Sequence, residues 1–159
     1  MIVKAVLDED FNDYKKPSMF IAFPRCTFKC DQLNGCKVCH NSHLAKEPDI
    51  EIDIFDLAKR YIMNNLTEAV VCGGLESLDS FEDVLLFIWT LRVFFQCDDD
   101  VVIYTGYDKD EIIDKIEQLK AFDNIIIKFG RFIMNRPSRE DKVLGVTLAS
   151  DNQYAEKIS

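Results

Sequence analysis

Four cysteines are close together in the sequence, at Cys26, Cys30, Cys36 and Cys39, and they follow an apolar run at 19–23 that is typical of a buried strand. Thiolates at this density, on a polar loop that leaves a strand, are the ligands that a zinc ion or an iron–sulfur cluster requires. Cysteines without a ligand prefer burial, so unliganded thiols explain this segment poorly.

The spacing of the cysteines leaves two kinds of metal site open. The pair Cys36-x-x-Cys39 suits one half of a zinc site, but Cys26-x-x-x-Cys30 and the short segment between the pairs make a tight loop for a closed site of four thiolates. Alternatively, three thiolates hold three irons of a [4Fe–4S] cluster, and the fourth iron stays open for a substrate.

The composition favours a cytoplasmic, metal-binding or catalytic protein. The chain has 159 residues, which is about one domain, and six cysteines, which in a reducing compartment indicate metal binding or catalysis rather than disulfides. No apolar run approaches the length of a membrane span, and the N-terminal residues lack the layout of a signal peptide. The net charge of −9 argues against nucleic acid as the main partner. We therefore expect no membrane and no nucleic-acid partner.

Strand-like and helix-like patterns alternate along the chain and predict an α/β fold. Short apolar runs without polar alternation are typical of strands that are covered on both faces, and they lie at 69–72, 101–104 and 125–127. Helical periods lie between or after them, at 55–62, 81–95 and 112–119. Such alternation implies crossover connections and a mostly parallel sheet.

The ends of these elements carry further signals. Each predicted helix opens with a capping residue and an acid three positions later, in the pairs Asp53/Asp56, Ser80/Asp83 and Asp108/Glu111. Segments 2–7 and 143–148 are expected to form extra strands at the edges of the sheet.

Four loops follow the carboxyl ends of the predicted parallel strands. They are the cysteine loop, Gly73-Gly74, Thr105-Gly106 and the segment 128–131. Because α/β sheets bind ligands at this edge, we expect the thiolates, two glycine turns and two cations, Lys128 and Arg131, to face one crevice.

Several ordered motifs give the chain a resemblance to a known family. They are Phe-Pro-Arg-Cys-Thr-Phe-Lys-Cys at 23–30, Val-Cys-His-Asn at 38–41, Gly-Gly-Leu-Glu at 73–76, Ile-Tyr-Thr-Gly-Tyr at 103–107 and Leu-Ala-Ser-Asp-Asn-Gln at 148–153. Together they resemble the radical S-adenosylmethionine enzymes and, more narrowly, the small activating proteins of anaerobic ribonucleoside-triphosphate reductase.

The cysteine spacing departs from the pattern of that family, which is C-x₃-C-x₂-C. Here the cysteine that precedes His40-Asn41 comes well after Cys30, so we interpret 31–37 as an insertion. The resemblance then implies Cys26, Cys30 and Cys39 as ligands of a [4Fe–4S] cluster, with Cys36 as a bystander or a substitute ligand.

The resemblance also implies a fold and an activity. The fold is an α/β, partial (incomplete) parallel β/α barrel of minimal size, a single radical S-adenosylmethionine domain over 1–159 with a cluster loop at 24–43. The activity is that of a glycyl-radical-enzyme activase. Reductive cleavage of S-adenosylmethionine gives a 5′-deoxyadenosyl radical, which generates a glycyl radical on anaerobic ribonucleotide reductase. An electron donor such as flavodoxin or another reductant is required.

Roles for other residues follow from the same resemblance. Gly73, Gly74 and Glu76 would hold the methionyl ammonium of S-adenosylmethionine. In the family the acid usually follows the glycines directly, whereas here Leu75 lies between them. Thr105 and Gly106 would lie near the ribose or the methionine. Independently of the resemblance, the positive charges of Lys128 and Arg131 suit a carboxylate of the cofactor or of a docked peptide. Ordinary strand-to-helix turns and solvated charges are the simpler alternatives for these residues.

Two other functions remain open from the sequence. One is a radical S-adenosylmethionine enzyme that acts on another peptide or a small molecule. The other is a zinc-binding interaction module without catalysis.

Overall fold

The computed structural model describes residues 1–159 and has an α/β architecture. The strands, in chain order, are β1 (Ile2–Val3), β2 (Ala5–Asp10), β3 (Ser18–Phe23), β4 (Ile50–Glu51), β5 (Ala69–Gly74), β6 (Asp100–Tyr104), β7 (Ile125–Phe129), β8 (Arg139–Asp141), β9 (Val146–Leu148) and β10 (Tyr154–Lys157). The α-helices are α1 (Lys29–Asn34), α2 (Ile54–Ile62), α3 (Phe81–Trp89) and α4 (Ile113–Leu119). None of the helices is both long enough and apolar enough to cross a lipid bilayer.

The central sheet has six strands in the order β10-β7-β6-β5-β3-β2. The four inner strands, β3, β5, β6 and β7, are parallel, whereas β2 and β10 pair with them antiparallel at the two edges. This confirms the predicted α/β class and the mostly parallel sheet. Their four carboxyl ends consequently lie along one edge, where the cysteine loop begins.

The inner strands are buried on both faces because their residues alternate between two apolar clusters. In β5, for example, Val70 and Cys72 pack against the helices, while Ala69 and Val71 pack on the opposite face. Helices α2, α3 and α4 all contribute to the same cluster and therefore cover the same face of the sheet. The opposite face is covered in part by Tyr14, Leu144 and Leu148.

The helices lie where the apolar periodicity predicts them, but their starts differ in detail. Asp53 caps α2 as expected, because its carboxylate accepts a hydrogen bond from the N–H of Asp56 at 3.1 Å. The Glu111 carboxylate accepts from the N–H of Asp108 at 2.8 Å, at the start of a 3₁₀ turn that leads into α4. Ser80 is the N-cap residue of α3 as predicted, but its side chain makes no capping hydrogen bond, and a 3₁₀ turn at Ser77–Ser80 precedes the helix.

The edge strands differ from the prediction in two places. Segment 2–7 contributes β2 to the sheet edge, but β1 separates from it and pairs with β4. Segment 143–148 is not an edge strand of the central sheet, since β9 pairs only with β8 in a small separate sheet. The edge position belongs instead to β10, whose mixed sequence Tyr-Ala-Glu-Lys gives little strand signal.

Candidate active site

The loops at the carboxyl ends of the parallel strands enclose a cavity of about 400 Å³. It extends over the face of the sheet opposite the helices, where Phe20, Gly73, Tyr104 and Lys128 line it. The predicted site residues that line the same cavity are Cys26, Cys30, Cys39, Gly73, Gly74, Glu76, Thr105, Gly106 and Lys128. The fold thus brings together residues that are far apart in the sequence, such as Cys26 and Lys128.

The fourth cysteine of the loop lies outside this cavity. Cys26, Cys30 and Cys39 are partly buried and line the cavity, whereas Cys36 is exposed and does not. Cys30 also lies beside the turn of Gly106, where an added Cβ atom would be 3.9 Å from its Sγ. The structure therefore separates three thiols that face one space from one that faces solvent.

A short helix within the cysteine loop, α1, positions Cys39. The Asp31 carboxylate accepts hydrogen bonds from the backbone N–H groups of Val38 and Cys39, at 2.8 and 2.9 Å. These two bonds fold the segment after α1 back across the helix that contains Cys30. The additional residues between the second and third cavity cysteines thus form a compact turn with its own internal support.

Two asparagines of the cysteine loop attach it to the segment after β7 and to the end of β5. Asn34 on α1 donates to the carbonyl of Phe132 at 3.0 Å and accepts from the N–H of Met134 at 2.8 Å. The side-chain amide of Asn41 donates to the carbonyl of Gly74 at 2.9 Å. Asn41 belongs to the Val-Cys-His-Asn motif, which marks it as a candidate site residue in the sequence. No motif or periodicity marks Asp31 or Asn34 in this way.

Burial raises the pKa of the Cys26 thiol to about 11, although its Sγ accepts a hydrogen bond from the N–H of Phe28. The pKa of Cys39 is also raised, mainly by burial and further by the neighbouring Cys30. Both groups are therefore protonated near neutral pH in the ligand-free chain. Since metals bind the thiolate, iron or zinc binding at these cysteines must release protons.

The two glycines predicted as a turn are the last residues of β5, and they have little room for side chains. Gly74 has a φ of +86°, and a Cβ atom there would be 2.7 Å from the Cα of Ala22 on the adjacent strand. A Cβ atom at Gly73 would be 2.9 Å from the ring of Phe20. The backbone contact at Gly74 shows that glycine is required there for the close approach of β3 and β5, whereas the neighbour of Gly73 is the far end of a side chain.

Glu76 is a buried acid that connects two of the strand-end turns. Its carboxylate accepts from the N–H of Gly106 at 2.8 Å and from the N–H of Leu78 at 3.2 Å. Burial raises its pKa, and the hydrogen bonds from Gly106, Thr105 and Leu78 oppose that rise. Because the carboxylate also lines the cavity, its remaining lone pairs are available to a cationic ligand group.

Lys128 is the buried cation of the cavity, with only 7% of its surface exposed. Its ammonium donates to the carbonyl of Gly130 at 2.9 Å and forms no ion pair within 4.0 Å. Burial lowers its pKa to about 8, against the opposing attraction of Glu76 and Cys30. The Lys128 ammonium therefore has N–H donors that are free to bind a ligand, and it has no carboxylate partner in the protein.

Arg131, the other predicted cation, already has partners. Its guanidinium is 2.7 Å from the Glu111 carboxylate and 3.8 Å from that of Asp108, and it lies over the ring of Tyr107. Asn152, from the tail motif, donates to the carbonyl of Arg131 at 2.8 Å. Arg131 therefore connects residues at the rim of the site through its ion pairs, and Lys128 is the cation that remains free for a ligand.

The donor set can be compared with the two metal sites that the spacing left open. No three His, Cys, Asp or Glu side chains are close enough together to hold a single metal ion. A four-iron cluster is larger than an ion, so its ligands surround a wider space. Cys26, Cys30 and Cys39 line one open cavity and Cys36 does not, so these three cysteines are the residues that would hold such a cluster.

Comparisons with protein-family models, with curated proteins and with solved structures found no match to this chain.

Proposed function

We propose that this protein is a radical S-adenosylmethionine enzyme that activates a glycyl-radical enzyme, anaerobic ribonucleotide reductase. When bound, the [4Fe–4S] cluster supplies an electron that cleaves S-adenosylmethionine to methionine and a 5′-deoxyadenosyl radical, which takes a hydrogen atom from a glycine of the partner. Flavodoxin or another reductant provides the electron. The observation that carries the proposal is the cavity shared by Cys26, Cys30 and Cys39 and by the strand-end turns.

In this proposal the three cavity thiolates hold three irons. The supporting feature is the exposed position of Cys36, since a fourth thiolate in the cavity would close the position that S-adenosylmethionine needs. Asp31 supports the third ligand by fixing the backbone of Cys39.

The charges in the cavity match the head group of S-adenosylmethionine. Its methionyl part carries an ammonium and a carboxylate, and the cavity has one buried carboxylate, on Glu76, and one buried ammonium, on Lys128. These two side chains form no ion pair with each other within 4.0 Å, so each can face the opposite charge on the ligand. The backbone of Gly73, Gly74, Thr105 and Gly106 borders the same cavity and would lie against the rest of the molecule.

The proposed fold is a partial parallel β/α barrel. The parallel strands follow one another in the order β3, β5, β6, β7, so each connection moves to the next strand in the same direction. Helices α2, α3 and α4 pack on one face, as in a β/α barrel, whereas a doubly wound sheet has helices on both faces. The other face is left for the cavity, which a macromolecular partner would complete.

Anaerobic reconstitution tests this function. The protein is loaded with iron and sulfide, reduced with dithionite and incubated with S-adenosylmethionine. We expect 5′-deoxyadenosine from the wild type and from Cys36→Ala, and none from Cys26→Ala, Cys30→Ala or Cys39→Ala. Loss of product in Cys36→Ala together with activity in Cys39→Ala would overturn the ligand assignment.

The alternatives give different results in the same preparation. A zinc-binding interaction module would be colourless and would contain neither iron nor sulfide. A radical enzyme with another substrate would form 5′-deoxyadenosine but would leave the purified reductase without a glycyl radical.

A further inference from the structure

The cavity continues beyond the proposed cofactor residues to a second group of residues. It is also lined by Asn12 and Asp13, in the connection between β2 and β3, and by the run Val146, Thr147, Leu148, Ala149. The two segments are joined, because the N–H of Lys15 donates to the carbonyl of Leu144 at 2.8 Å. None of these residues has a part in the proposed binding of cluster or cofactor.

The run 146–149 presents an edge of its strand to the cavity. Side chains alternate along a strand, so a cavity in contact with one face would be lined by every second residue. Here four consecutive residues line it, although Leu148 is buried in the core while Thr147 and Ala149 are exposed. The main chain itself must therefore border the cavity.

This edge is not paired with another strand. β9 lies in a two-stranded sheet with β8, so one of its two edges has no neighbour. No additional backbone hydrogen bond involves residues 146–149 outside that pairing. An unpaired edge beside a cavity is the geometry into which an extended peptide can add a strand.

The hairpin that carries this edge is held firmly. The Asp141 carboxylate accepts from the N–H groups of Val143 and Leu144 in the hairpin turn, and from the N–H of Ala155 on β10 at 2.9 Å. Asp141 is itself buried. A peptide that docks here consequently meets a preformed strand and does not have to order it.

We propose that the free edge of β9 binds an extended peptide segment of the partner by strand addition, and that Asp13 selects a segment with an arginine or lysine. The inference rests on the proposed function, because it assigns the partner's glycine-containing segment to this part of the cavity. Main-chain hydrogen bonds supply the pairing, and the acid supplies the selectivity.

Charge complementarity identifies the basic side chain. Asp13 is half-buried at the cavity and takes part in none of the ion pairs of the structure, whose acids are elsewhere. Its neighbour Asp10 is also buried and has no cation partner. Burial and the neighbouring Asp10 raise the pKa of Asp13 to about 6, so at neutral pH Asp13 carries a charge that no cation of the protein neutralises within 4.0 Å, and a cation on the peptide would do so.

Hydrogen exchange and peptide binding on the full-length chain test the proposal. The probes are short fluorescein-labelled peptides of valine and threonine around a central glycine, with one arginine placed at each position in turn. We expect the best of them to protect from exchange those amides of residues 146–149 that point to the free edge, which are every second one. N-methylation of one alternate set of peptide nitrogens should abolish binding, and methylation of the other set should not, because a strand pairs through every second residue.

The acid is tested by a matched pair of variants. Asp13→Asn should weaken binding of the arginine peptide by about fivefold or more, as expected for a partly buried ion pair, and should leave the glutamine analogue unaffected. Asp110→Asn makes the same change in net charge at an exposed position outside the cavity, and it should leave the binding of both peptides unchanged. Equal weakening by both variants would refute a specific role for Asp13.

The proposal and the proposed function can fail separately. Peptide binding is measured without S-adenosylmethionine, so absence of 5′-deoxyadenosine would refute the activity and leave the docking result standing. Absence of protection at 146–149 with every peptide, or binding that is insensitive to the position of N-methylation, would overturn the docking edge even in an active enzyme.

Discussion

Replacing Lys128 with methionine should stabilise the ligand-free protein at neutral pH. Its ammonium is buried and has one carbonyl partner and no ion pair within 4.0 Å. Methionine keeps a side chain of similar length in the same space and removes the charge. Replacement of buried charges by apolar groups of similar volume is often neutral or stabilising.

The magnitude follows from the pKa of Lys128. Burial lowers it from the ordinary value of 10.5 to about 8. Each tenfold change in proton affinity corresponds to about 1.4 kcal/mol, so the buried ammonium costs the folded state about 3 kcal/mol below pH 8. This cost already includes the attraction to Glu76. Loss of the hydrogen bond to the Gly130 carbonyl offsets part of the gain, and we expect Lys128→Met to raise the free energy of unfolding by about 1–3 kcal/mol at pH 7.

The pKa values of Lys128 in the folded and unfolded states also determine how the stability changes with pH. Between pH 8 and 10.5 the unfolded chain keeps the proton at Lys128 and the folded chain does not, so the stability of the wild type rises with pH in this window. Above pH 10.5 both states are neutral at this position and the cost vanishes. The advantage of Lys128→Met should therefore decrease as the pH rises from 8 to 10.5.

Urea unfolding of both proteins at pH 7 and pH 10 measures this difference, since other titrating groups are common to both. Lys142→Met is the control, because Lys142 is exposed and its variant should show no such trend. A variant of Lys128 that is less stable than the wild type at pH 7, or a difference that does not change with pH, would refute the reasoning. The same variant should bind S-adenosylmethionine more weakly, because the cost of burial is recovered only when an anion is bound.

Two further predictions concern the loops that shape the site. Asp31→Ala should weaken iron binding by roughly tenfold or more, because it removes two charge-assisted hydrogen bonds that fix the backbone before and at Cys39; chelator competition measures this, and iron binding equal to that of wild type would contradict it. Gly74→Ala should destabilise the fold by about 2–4 kcal/mol, since it adds a steric clash to an unfavourable φ. Gly35→Ala is the control, because Gly35 has a similar φ and no atom within 4 Å of the added Cβ. Urea unfolding should show that Gly35→Ala lowers the free energy of unfolding by only about 1 kcal/mol. Equal losses of stability in the two variants would argue against the clash.

The sequence predicted the layout of the site because local patterns control it. The apolar runs of β5, β6 and β7 are buried on both faces, as their lack of polar alternation indicated. Once those strands are parallel, the loops after them must meet at one edge, and Glu76 and Lys128 do line the same cavity.

The parts that the sequence did not predict depend on contacts between distant or weakly patterned segments. The role of Asp31 depends on a turn that is stabilised by its own side chain, and no periodicity marks such a turn. β10 has one aromatic residue and two charges, so its pairing with β7 leaves little trace in composition. Asp13 reaches the cavity only because the β2–β3 connection packs against the β8–β9 hairpin.

The central claim is that three cavity thiolates leave one iron open to S-adenosylmethionine. Electron paramagnetic resonance of the reduced, reconstituted protein tests it most directly, with spectra recorded before and after S-adenosylmethionine is added. We predict a cluster signal that S-adenosylmethionine changes in the wild type and in Cys36→Ala alike. A spectrum that S-adenosylmethionine leaves unchanged, or a protein that holds zinc through all four thiolates of the loop, would contradict the account.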